Sequence, residues 1–147
     1  MRSLGLEEPF GLEDLLAATE RWRKRPLRIK DCPLPPEFSA LWVETGKADH
    51  LVVATGLTSL QREQAIVHEL AHILLEHQPR VVTSPAELQD ALGLPASMHA
   101  LARSGYHYKG EEEAQAEHLA TVICMCLQRG SCREEDERAE RFRHYLG

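Results

Sequence analysis

The chain has 147 residues, 43% apolar and 27% charged, a globular composition that fits a single domain over 1–147. Seventeen Lys and Arg against 23 Asp and Glu leave a net charge of −6, which excludes a protein that coats nucleic acid through a basic surface, so no direct nucleic-acid partner is expected. Eight histidines, set against only three Phe, two Trp and three Tyr, are the unusual entry, because imidazole is the side chain most used to bind metals.

Leu12, Leu15, Leu16, Thr19 and Trp22 recur at helical spacing and predict an amphipathic helix over 11–24, ended by Pro26. The basic run Arg21 to Arg25 at its end complements the helix dipole. Residues 27–31 alternate apolar and polar like a half-buried strand, and the Pro-rich stretch 32–36 reads as a loop. Strands at 40–44 and 50–54 flank a five-residue turn containing Gly46, a hairpin signal, so a small antiparallel sheet is expected over about 27–54. Thr58-Ser59-Leu60-Gln61 is a capping box that opens a helix over about 59–77, stopped by Pro79.

Ser84-Pro85-Ala86-Glu87 opens a short helix closed by Gly93, and another short helix is expected over 96–103. Glu111, Glu112 and Glu113 load negative charge onto the start of a helix over about 111–129, with Gly130 as its stop. Ser131-Cys132-Arg133-Glu134 then opens a charged, solvated helix over about 132–146. The order of elements gives an α+β fold.

No apolar run reaches the ~18 residues of a membrane span. The acids and Pro9 near the start are unlike a signal peptide, so a cytoplasmic chain without a membrane partner is expected. Cys32, Cys124, Cys126 and Cys132 are then reduced thiols. The last three lack a C-x-x-C and read as buried thiols rather than a metal cluster.

The helix over 59–77 contains His68-Glu69-Leu70-Ala71-His72, an H-E-x-x-H. Positions i and i+4 share one helix face, so both imidazoles can hold one Zn²⁺, and Glu69 is placed to act as general base toward an attacking water. A catalytic zinc site needs a third protein ligand. His77 lies five residues past His72, with no Gly to turn the chain back, and reads as a helix-end histidine. Glu113 starts a helix whose following positions (Ala116, Leu119, Ala120, Ile123) are apolar, so it can face inward as the third ligand; His118 is a rival. Glu117, one turn on, is a candidate to hold the outer nitrogen of a ligating histidine. Tyr106, His107 and Tyr108, just before this helix, are candidate donors to a developing oxyanion. The edge of the hairpin near His50 to Val53 is a candidate for pairing with an extended substrate.

His68-Glu69-Leu70-Ala71-His72-Ile73-Leu74-Leu75-Glu76-His77, followed by Glu113-x-x-Ala116-Glu117-x-x-Ala120, resembles the ImmA/IrrE family of small bacterial metallopeptidase-like proteins, of the gluzincin type of zincin. The resemblance covers about residues 38–127 and includes the strand-like stretches before the active-site helix. This sequence departs from the family at Glu117, where Asn or Asp is usual, and at Gln115, where Glu is frequent. The resemblance implies a zincin-like fold with the small sheet packed on the H-E-x-x-H helix, one Zn²⁺ on His68, His72 and Glu113, and Glu69 as base. It also implies peptide-bond hydrolysis in a helix-turn-helix transcriptional repressor, or regulation of such a partner by contact alone.

Overall fold

A computed structural model describes residues 4–34, 36–78, 80–82, 108 and 110–146. Helix α1 (Leu12–Arg23) forms as its apolar spacing predicts, burying Leu15, Ala18 and Thr19, while the Thr19 hydroxyl donates to the Leu15 carbonyl at 2.8 Å. Trp22, expected on the apolar face, is half-exposed. The basic end of α1 does more than complement its dipole. Arg23 Nε donates to the buried Asp49 carboxylate at 2.9 Å, and both Arg23 and Arg25 pair with Glu44 at 3.5 Å.

Strands β1 (Leu27–Cys32), β2 (Ala40–Thr45), β3 (Asp49–Ala54) and β4 (Arg80–Val82) form one sheet in the order β1-β3-β2-β4. The β2–β3 hairpin is antiparallel as expected, but the sheet is mixed, because β1 pairs parallel with β3 and β4 parallel with β2. The cause is topological. The Pro-rich loop carries the chain from β1 across to β2, and the hairpin returns β3 into the gap, running in the direction of β1. As inner strands, β2 and β3 are buried almost throughout, whereas the edge strand β1 keeps an alternating pattern. Ala40, Trp42, Leu51 and Val53 join the main core, where Ile66, Leu70 and Ile73 of the next helix pack with them.

That helix, α2 (Ser59–Leu74), opens with the predicted capping box. Thr58 Oγ1 accepts from the Gln61 N–H at 3.2 Å, and Gln61 Oε1 accepts from the Thr58 N–H at 3.0 Å. It ends three residues before the expected His77. Glu76 sits at φ 56°, its N–H donates to the Ile73 carbonyl, and the His77 N–H donates to the His72 carbonyl, both at 3.0 Å. These two bonds are the Schellman pattern, with Glu76 in the left-handed position usually taken by glycine. The turn brings His77 back against the helix it has just left.

Helix α3 (Gly110–Leu146) is continuous over 37 residues, where two helices broken at Gly130 were expected. Gly130 is buried inside it, and a Cβ there would meet the Phe10 carbonyl oxygen at 3.1 Å and Pro9 Cβ at 3.4 Å. Its role is close approach of the N-terminal segment, not termination. Ser131 likewise does not cap; its hydroxyl donates to the Leu127 carbonyl at 3.2 Å, one turn back. Ala116, Ala120, Ile123 and Leu127 form the buried stripe of α3, which packs on α2. Cys126 is buried as expected and Cys32 is buried too, Cys124 is half-buried, and Cys132, expected to be buried, is exposed because it lies on the exposed stretch 131–141 of the helix. The short helices expected over 84–93 and 96–103 lie outside the described residues, and no described helix is long and apolar enough to cross a membrane.

Candidate metal centre

Three side chains from two helices converge on one point. His68 and His72 project from the same face of α2, with ring centroids 5.0 Å apart and Nε2 atoms 3.3 Å apart. Glu113, in the first turn of α3, reaches across with Oε1 2.7 Å from His68 Nε2 and Oε2 3.5 Å from His72 Nε2. One ligand atom from each residue lies within 4.8 Å of the others, so the group is able to hold a metal ion. Tetrahedral ligands at about 2.0–2.1 Å from a zinc ion stand about 3.3 Å apart, and the observed separations bracket that spacing. Among the described residues no other group of three His, Cys, Asp or Glu side chains is so arranged.

Glu69 lies beside this cluster, 5% exposed, and lines the same cleft. Its carboxylate accepts a hydrogen bond from the Trp42 backbone of β2, yet Oε2 is buried with no hydrogen-bond partner among the described residues. Burial first, and the nearby Glu113 charge second, push its pKa up to about 8. A lone buried carboxylate oxygen next to a second carboxylate is costly in a protein interior. A divalent cation on His68, His72 and Glu113 reverses that electrostatic cost, so the residues present fit such an ion. His72 is fully buried, and burial, followed by the neighbouring His68 and His77, holds its pKa down at about 3. It is therefore a neutral imidazole, the form that binds metals.

Trp42 fixes the wall behind Glu69. Its indole N–H donates to Asp49 at 3.1 Å, and Asp49 is held in turn by Arg23, whose guanidinium lies 5.3 Å from the Trp42 ring centre. The basic end of α1 thus secures the strand whose backbone holds the general-base candidate.

Tyr108 stacks on His72, with centroids 3.5 Å apart and ring planes 12° apart, and lines the cleft. Tyr106 and His107 lie outside the described residues. Glu117 is exposed and makes no contact with either ligating histidine. The outer nitrogen of His72 meets His77 instead, Nδ1 to Nδ1 at 2.8 Å, and His77 Nε2 stands 3.2 Å from Gln115 Oε1. His118 is exposed and outside the cluster. The sequence reading thus passed over His77 and Gln115. Each helix residue turns about 100°, so Glu117 is rotated about 40° beyond Glu113, away from the buried stripe of α3, while Gln115 lies on the opposite side of that stripe. A helical wheel of α3 places Gln115 no nearer the stripe than Glu117 and so does not single it out, and nothing in the sequence marks the turn at Glu76 that brings His77 to it.

The cleft has a volume of about 520 Å³ and is bounded by Phe38, Ala40, Leu57 and Tyr108 as well as the site residues. Among the described residues that line it, none is Lys or Arg. The substrate edge expected near His50 to Val53 is ruled out, because β3 is hydrogen-bonded on both sides. Among the described residues, the edge left open beside the cleft is that of β2 around Ala40, since β2 pairs with β4 only over Val43–Thr45. Ser39 O accepts from the Ala54 N–H, so the alternating pattern of an antiparallel pair turns the N–H and C=O of Ala40 away from β3, toward that edge.

The chain matches no family model, no curated protein and no solved structure. The likeness to the ImmA/IrrE family therefore stands on the residues alone.

Proposed function

We propose that the protein is a zinc-dependent endopeptidase that hydrolyses a peptide bond in one specific protein partner, a helix-turn-helix repressor being the partner the family resemblance implies. The observation that carries this reading is the unpartnered buried oxygen of Glu69 beside the convergent donors of His68, His72 and Glu113, in a cleft open along a strand edge.

A bound Zn²⁺ supplies Lewis acidity, polarising the scissile carbonyl and acidifying water. Glu69 takes a proton from the water whose oxygen attacks the carbonyl carbon, and returns it to the amine nitrogen as the C–N bond breaks. The Trp42 backbone and the apolar wall around Glu69 fix its carboxylate and keep bulk water from it. An extended substrate adds to the sheet at the Ala40 edge, which presents its carbonyl to the site. The net charge of −6 favours encounter with a basic, DNA-binding partner.

The test is to incubate the zinc-loaded protein, and its Glu69→Gln variant, with helix-turn-helix repressors from the same organism. Wild type is expected to cleave, and Glu69→Gln to keep its zinc with cleavage lowered at least 100-fold, the lower end of a general base's contribution of roughly 10²–10⁴. Equal cleavage by both proteins would refute the role of Glu69. Relief of repression in cells by Glu69→Gln would favour the alternative of a zinc-binding module that acts by contact.

A further inference from the structure

Beneath the metal-facing histidines lies a chain of side chains that the H-E-x-x-H motif does not include. His77 is buried, with Nδ1 2.8 Å from His72 Nδ1 and Nε2 3.2 Å from Gln115 Oε1. At 2.8 Å two ring nitrogens share one proton, so one donates and the other accepts. The nitrogen of His72 that faces His68 and Glu113 is Nε2. As a ligand it must be bare, so the single proton of that neutral ring sits on Nδ1 and is donated to His77. His77 Nδ1 then accepts, its own proton lies on Nε2, and the Gln115 carbonyl oxygen accepts that one. Only this assignment satisfies every contact while leaving the His72 lone pair free.

We infer that the hydrogen-bonded series Gln115–His77–His72 sets the tautomer of His72, with Gln115 and His77 as positioning residues for metal binding. The inference rests on the reading of His68, His72 and Glu113 as a metal centre, and it is independent of whether the protein cleaves a peptide. Its physical basis is general: a ligating imidazole is oriented and made a better donor by the acceptor behind its other nitrogen. Here that acceptor is a second imidazole, whose own weak preference for the proton on Nε2 is reinforced when a third group accepts that proton. An acceptor at position 115 fixes it in the productive sense; a donor there reverses both rings and puts a proton on His72 Nε2.

Gln115 is exposed, so changing it does not disturb the core. Zinc affinity is measured by competition with a chromophoric chelator in wild type, Gln115→Glu and Gln115→Lys. Gln115→Glu, an acceptor only, is expected to keep the wild-type affinity, and Gln115→Lys, a donor only, to lose about 10–100-fold. In metal-free wild type, long-range proton–nitrogen correlation spectra are expected to find His72 protonated at Nδ1 and His77 at Nε2. Gln115→Lys binding zinc as wild type does, or His72 protonated at Nε2, overturns the inference. A zinc-loaded wild type that cleaves no partner changes neither readout, so failure of the peptidase reading is distinguishable from failure of this one.

Discussion

Glu69 and His72 are buried side by side in α2 with pKa values displaced in opposite directions, about 8 and about 3. In metal-free protein this shapes stability against pH. Between 4.5 and 6.5 the folded state holds the Glu69 proton that the unfolded state has lost, while the unfolded state holds a proton on His72 that the folded state lacks, and the two slopes cancel. From 6.5 to 8 only Glu69 remains unbalanced, so stability falls as pH rises, by roughly 2 kcal/mol at ~1.4 kcal/mol per pKa unit. Below 4.5 only His72 remains, and stability falls as pH drops toward 3. Urea unfolding of the metal-free protein should show both limbs, and Glu69→Gln should flatten the alkaline one; an unchanged alkaline limb in that variant would contradict the assignment. At this scale the sequence was legible where a period governs position. His68, Glu69 and His72 follow from helical spacing, and Glu113 from the apolar stripe behind it. His77 was hidden because a glutamate, not a glycine, adopts the left-handed turn at 76, held there by two backbone hydrogen bonds of the helix end.

Elements were legible at their starts and less so at their ends. The Thr58–Gln61 box and the apolar spacing of α1 correspond to structure within a residue. The break expected at Gly130 does not occur, since the same absence of a side chain that lets glycine end a helix also lets another segment touch one. Three of the four strands were read correctly and β4 was not anticipated, while the parallel pairing of β1 with β3 depends on where a loop crosses, which local alternation does not encode. The consequence for function is that β2, not β3, borders the cleft. Ala40→Pro removes an N–H directed at the open edge without breaking a β2–β3 bond. For the partner protein as substrate, KM is expected to rise about tenfold, the loss of one hydrogen bond of roughly 1.5 kcal/mol, with zinc content unchanged. An unaltered KM in the folded variant would place the substrate elsewhere.

Over the whole molecule, α3 is the element shared by otherwise separate parts. Glu113 at its start reaches the histidines of α2, and Gly130 lies against Pro9 and Phe10 of the N-terminal segment, about 25 Å further along at 1.5 Å per residue. Zinc at 1,000 times its dissociation constant should raise the unfolding free energy by about 4 kcal/mol, and a chelator should abolish that gain; an unfolding midpoint indifferent to both would remove the metal reading. The contact at Gly130 carries a consequence beyond packing. A helix tied near its start to the histidines of α2 and at Gly130 to the N-terminal segment transmits slack from either tie to the other. Stripping the metal should therefore expose the peptide bonds around Pro9 and Phe10 to protease, so that the first ten residues serve as a remote gauge of whether the centre is filled.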